Sequence, residues 1–132
     1  MKFLCLVHFA PGAFDGVTPE EFTRLDDATI EHDHKLRRNG HLLIASPLQG
    51  PETATSIDRR QRMKMSLLDG PFAEGKEVVG GFLLIEARDM EEAVSLFEDD
   101  PIAAYGRLEI RPLMEDHRHS KTGEARPEFA AG

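Results

Sequence analysis

Two stretches of this chain are apolar at consecutive positions, not at alternate ones. Residues 3–7 read Phe-Leu-Cys-Leu-Val, and the paired glycines Gly80 and Gly81 are followed by Phe-Leu-Leu-Ile at 82–85. A strand of this kind sends oily side chains to both faces of its sheet, so both faces need cover. Only two other segments carry the spacing of helices. Two helices that each pass between strands lie on one face of an antiparallel sheet, as in the split β-α-β arrangement. The expected fold is therefore α+β and ferredoxin-like, with an added hairpin and both helices on one face. The bare face then calls for a second copy of the chain, a sheet-to-sheet homodimer.

The helix signals are specific. Thr18 is a good N-cap, Pro19 suits the first helical position, and Glu21 stands where a capping-box acid reaches back to the Thr18 amide. Lys35, Arg37 and Arg38 oppose the negative end of the dipole, and Asn39-Gly40 stops the helix with a left-handed residue. Phe22, Leu25, Thr29 and Leu36 form the inward stripe, which Asp33 shares and His32 borders. A second helix starts at Asp89, with Glu92 three residues on. Met90, Ala93, Val94 and Phe97 make its stripe, and Asp100-Pro101 closes it. Strands are predicted over residues 1–8, 41–46, 78–86 and 107–113, and hairpin arms over 53–58 and 63–68. Residues 1–113 read as one domain. Residues 114–132 are polar and without period, a tail predicted to be flexible or held against a second subunit.

A formal net charge of −8 argues against nucleic acid and against an anionic membrane surface as partners. Cys5 is the only cysteine, so no internal disulfide forms, and a reducing cytoplasm is the expected location. Within its apolar run it reads as a small buried thiol. The apolar run at the N-terminus is too short for a secretory signal or a membrane span. No metal or other cofactor is expected. His32 and His34 diverge around a helix, Asp116, His117 and His119 offer at most an adventitious site, and no nucleotide or zinc-binding motif occurs.

The block DGPFAEGKEVVGGFLLIEARDMEEA, with GHLLIASPL and TATS before it and EIRPL after it, resembles the DGPF branch of the YCII-related family over residues 2–113. The resemblance implies a ferredoxin-like domain that pairs into a dimeric α/β barrel. It also implies a role resting on a His–Asp pair in a cleft, in a family that is mostly uncharacterised. Members of the branch are similar to proteins found beside extracytoplasmic-function sigma factors. The family's acidic residue precedes a proline after the second helix, and Asp100 matches it. Its histidine falls where this chain has Ala28, Thr29 and Ile30, and His32, the nearest histidine, is displaced along the helix.

The candidate catalytic residues are His8, His32, Asp33 and Asp100. If Asp33 meets His8 it orients the imidazole and raises its basicity; otherwise it satisfies backbone amides. Asp100 is either the acidic half of the pair or a helix stop. The candidate substrate-binding residues are Asp69, Phe72, Gly80, Gly81, Arg107, Glu109 and Arg111. The Asp69-Gly70-Pro71-Phe72 turn and the Gly80-Gly81 pair read as turn and β-bulge, or as rim and floor of a small-molecule pocket. Arg107, Glu109 and Arg111 share one strand face, to bind a carboxylate or to form subunit salt bridges. Arg59, Arg60, Arg62 and Lys64 make a basic hairpin tip, open to an anionic partner or simply solvated. Two functions are expected from these readings. One is a cofactor-independent enzyme performing proton transfer or elimination on a small polar or aromatic substrate. The other is a non-catalytic regulatory module acting with a sigma factor.

Overall fold

The computed structural model describes residues 1–60, 66–69 and 77–128. The order is β1 (Lys2–Phe9), α1 (Pro19–Arg38), β2 (Leu42–Pro47), β3 (Thr55–Asp58), β4 (Ser66–Asp69), β5 (Val78–Glu86), α2 (Met90–Ser95) and β6 (Arg107–Pro112). Short 3-10 turns occupy Pro51–Thr53 and Pro101–Ala104. The main sheet runs β2-β5-β1-β6, with every neighbouring pair antiparallel, and β3 and β4 form a separate hairpin. Strand β5 lies between β1 and β2, the split β-α-β order that the sequence implies.

Local chemistry starts and stops the elements. The Thr18 hydroxyl accepts from the Glu21 amide at 3.1 Å, and the Glu21 carboxylate accepts from the Thr18 amide, closing the capping box. Gly40, at φ 83°, takes the left-handed turn that ends α1. Asp89 caps α2 by accepting from the Glu92 amide at 2.9 Å, while the Glu92 carboxylate turns to the amide and guanidinium of Arg88. The regular part of α2 is shorter than its apolar stripe. Phe97 bonds back to the Val94 carbonyl, so the last turn tightens before Asp100-Pro101.

The two faces of the sheet differ. Phe3, Cys5 and Val7 of β1, Leu83 and Ile85 of β5, and Leu42 of β2 are buried with Leu36 of α1 and with Ala93 and Phe97. Full burial of a side chain such as Phe3 or Ile85 is worth roughly 1.5–3 kcal/mol. The opposite face presents Leu4, Leu6, Ile44, Phe82 and Leu84, each only partly buried. Both helices therefore pack on one side, as the sequence requires.

A bulge interrupts β5. Val7 pairs with Gly81 and His8 with Val79, so Gly80 is the extra residue, and its carbonyl accepts from the Leu48 amide at 2.8 Å. The Phe9 ring occupies the space that a Cβ on Gly80 would need. A Cβ on Gly106 would sit 2.9 Å from the same ring. One side chain is thus clamped between two glycines on either side of β1.

The tail makes a small exposed hairpin. Arg118 bridges Ala125, the His119 amide donates to the Glu124 carbonyl at 2.8 Å, and the His119 Nδ1 accepts from the amides of Lys121 and Thr122. These bonds lie within the tail itself.

Candidate functional site

A cavity of about 550 Å³ opens between α1 and the end of the sheet that carries the Gly80 bulge. Gly80 and Gly81 both line it, and the missing side chain of Gly80 lets the Phe9 ring, another lining residue, lie against β5. An aromatic cluster forms one wall. The Phe14 ring lies 5.0 Å from Phe9 and 5.4 Å from Phe22, and stacks on Tyr105 at 5.6 Å. The α1 stripe supplies Phe22, Leu25, Thr29 and Asp33 from above, and the turn after α2 supplies Asp100.

Asp100 is held firmly. As cap of the turn at Pro101, its Oδ1 accepts from the Ile102 amide at 3.1 Å. Its Oδ2 faces Nδ1 of His32 at 3.7 Å, too long for a hydrogen bond, with the two side chains 4% and 5% exposed. That Nδ1 is buried and has no hydrogen-bond partner. The other ring nitrogen, Nε2, lies 3.2 Å from Asp99 Oδ1, and Asp99 Oδ2 accepts from Lys35 Nζ at 2.7 Å. A row of four side chains therefore runs from the exposed Lys35 through Asp99 and His32 to a carboxyl in the cavity wall.

The electrostatics divide the three aspartates. Burial pushes the Asp100 carboxyl above the ordinary aspartate range, against the pull of the Ile102 amide and His32. Burial raises Asp33 too, and the charge of Asp100 adds to the rise, while His32 and His34 oppose it. Asp99, hydrogen-bonded to Lys35 and then to His32, is held below the ordinary range. Burial drives the Cys5 thiol up to about 12, with Asp100 contributing, so this cysteine is no nucleophile. Among the described residues no set of His, Cys, Asp or Glu side chains converges as a metal site.

The structure brings together His32, Asp33, Asp100, Gly80 and Gly81 and separates them from the remaining candidates. His8 does not meet Asp33. Val7 faces α1, so strand alternation turns His8 to the opposite face, where its Nε2 lies 2.9 Å from Glu109 Oε1. That contact holds Glu109 below the usual glutamate range. Arg107, Glu109 and Arg111 do share a face, the one away from the cavity, opposite His8, Leu6 and Leu4. Arg107 pairs with Glu77 at 3.0 Å. Asp69 ends β4 opposite Thr55, while Phe72 lies outside the described residues, as do Gly70 and Pro71. Arg60 grips Asp58 at the hairpin tip, and Arg62 and Lys64 fall outside the described residues. Sequence reasoning missed Lys35, Asp99, Phe14 and Tyr105. The doubled acid at 99–100 was the one local signal; the aromatic cluster joins a loop, a helix and a turn that no sequence spacing relates.

Comparison with known proteins agrees with this architecture. The solved structure of 5-chloro-2-hydroxyhydroquinone dehydrochlorinase from Burkholderia phenoliruptrix AC1100, in complex with 2,5-dihydroxybenzoquinone, aligns with a TM-score of 0.52 at 19% identity. The alignment covers 86% of this chain and 93% of that one, a likeness of fold. An uncharacterised protein of Rhizobium meliloti (strain 1021) is 38% identical over 65 residues, or 48% of this chain and 52% of that protein. The chain thus matches about half the length of that curated relative. No helix among the described residues is long and apolar enough to cross a membrane. The family model for the YCII-related domain matches residues 1–116, and the chain belongs to that family.

Proposed function

We propose that the cavity is the active site of a cofactor-independent acid–base enzyme acting on a small polar or aromatic substrate. Asp100 is the group that takes and returns the proton, and His32 stands behind it to receive or resupply that proton. The carrying observation is the juxtaposition itself: a carboxyl of raised pKa in an apolar wall, 3.7 Å from a buried imidazole nitrogen that has no hydrogen-bond partner. A base tuned toward neutrality is what proton abstraction at cellular pH requires. In an elimination, the Asp100 carboxylate takes the C–H proton, the C–H electron pair becomes the new double bond, and the leaving group departs with its own pair. The fold neighbour's dehydrochlorinase activity is consistent with such chemistry on this scaffold. Screening hydroxylated aromatics, 5-chloro-2-hydroxyhydroquinone among them, by thermal shift and then by product release tests the reading. Asp100→Asn and His32→Ala should each slow turnover by about 10²–10⁴-fold. A compound turned over at full rate by both variants refutes it.

We also propose that a second copy of the chain covers the face carrying Leu4, Leu6, Phe82 and Leu84, in the cytoplasm, with the tail beyond residue 113 resting on the partner. Contiguous apolar surface of this kind seldom stays exposed in a monomer. Sedimentation should show a dimer that Leu84→Glu dissociates; a lone, monodisperse protomer at micromolar concentration would end the proposal. The sigma-factor reading rests on the resemblance to the DGPF branch and on no feature of the cavity.

A further inference from the structure

Asp33 is a carboxyl on which His32 and His34 act only through space. It lies beside His32 in sequence, at the cavity-facing edge of α1. Among the described residues it makes no hydrogen bond and no ion pair. Asp100 differs: its Oδ1 is taken by the Ile102 amide and its Oδ2 faces His32. Both carboxyls open on the same cavity, with exposed Asp26 at its edge, and no Lys, Arg or His among the described residues lines it. The remaining walls are mostly aliphatic and aromatic, Phe9, Phe14 and Phe22 among them.

Such a lining selects by charge. A carboxylate facing apolar walls without a counter-cation is poorly solvated, and a second carboxylate nearby worsens its position. A bound anion would add a further like charge to this space. A neutral hydroxyl would give Asp33 a hydrogen-bond donor but no compensating charge. A protonated amine supplies both, and the aromatic faces add a favourable quadrupole for the same cation.

We propose that the cavity takes a small aromatic or apolar body bearing a protonated amine, with Asp33 as its anchor and Asp100 left free for proton transfer. The inference rests on the reading of this cavity as a ligand site. It assigns Asp33 a binding role separate from the His32–Asp100 pair, and it places Arg107 and Arg111 outside substrate recognition.

Three probes that share a ring and a two-carbon spacer isolate the charge: phenethylamine, phenethyl alcohol and hydrocinnamate. Each is titrated into the full chain at neutral pH, with binding followed by calorimetry and by chemical-shift changes at the cavity residues. Phenethylamine is expected to bind at least about tenfold more tightly than the alcohol, the strength of one charge-assisted hydrogen bond, with hydrocinnamate weakest. Asp33→Asn should bring the amine down to the affinity of the alcohol and leave the alcohol within about twofold of its original value. Asp27→Asn, a change at an exposed position outside the cavity lining, should keep the preference. The proposal is overturned if the alcohol or hydrocinnamate matches the amine, or if Asp33→Asn leaves the amine preferred. Equal binding of all three keeps the ligand site and removes only the charge preference. Binding by none of them removes the site and this inference together. If Asp33→Asn does not fold, the three-probe series on the unaltered chain decides.

Discussion

Gly80→Ala is the sharpest probe of how the cavity end of the sheet is built. The added Cβ collides with the Phe9 ring. The ring is hemmed by Gly106, where a Cβ would lie 2.9 Å away, and by Phe14 at 5.0 Å, so it can give way only toward the cavity it lines. Overpacking of this kind costs about 1–3 kcal/mol. The stiffer unfolded chain returns about 0.4–1 kcal/mol where the backbone tolerates alanine. The net expectation is a loss of about 1–2 kcal/mol from a total stability of order 5–15 kcal/mol. In a thermal melt that is a fall of roughly 4–10 °C. Urea denaturation in a second background supplies the control. With Phe9→Leu in place the collision is relieved, so Gly80→Ala should become nearly neutral, a coupling of about 1–2 kcal/mol. Gly106→Ala should not be rescued in this way, because its Cβ also meets the His8 carbonyl oxygen at 2.7 Å, and trimming Phe9 cannot move that backbone atom. The reasoning fails if Gly80→Ala costs the same in both backgrounds, or if Phe9→Leu rescues Gly106→Ala as fully.

Two further expectations concern titration. Asp33 has a folded-state pKa above its unfolded one, so its ionised form is the costly one, and that cost sets in as pH rises from the ordinary aspartate range through the raised value. Asp33→Asn does not titrate. Urea midpoints of the two proteins should therefore converge at acid pH and part toward neutrality with the variant the more stable; a gap that is constant with pH refutes this. Cys5, buried and pushed up to about 12, should resist thiol-disulfide reagents in mildly alkaline buffer and react fully once urea unfolds the chain. Rapid labelling of the native protein would contradict its burial.

The parts of this fold that were legible in the sequence are those set by neighbours along the chain. The Thr18–Glu21 capping box, the Gly40 stop and the Asp89 cap are all short-range chemistry, and each forms as the residue types demand. The one-sided placement of the helices followed from two helical segments that each pass between strands of one antiparallel sheet. The site was legible only in pieces. Helical spacing put Asp33 on the side of α1 that faces the cavity, but His32, placed at the edge of the stripe, is the residue the helix buries, while Asp33 is only partly covered. What spacing cannot tell is which face of β1 His8 occupies relative to α1, and that face sends it to Glu109. The partners of His32 come from a turn 67 residues away in sequence. Their meeting depends on how α1 and the turn after α2 pack on the sheet, a tertiary fact with no local signature.

The ring of Phe9, clamped between Gly80 and Gly106, ties three positions into one evolutionary unit. None of them can change alone without loss: a larger residue at 80 or 106 meets the ring, and a smaller one at 9 leaves a void against both glycines. Among related chains these positions should drift jointly, an aromatic retained with two glycines or exchanged for something slimmer when either glycine acquires a side chain. The outline of the cavity should then be inherited as a set, and a relative's binding repertoire should shift in a step when that set turns over.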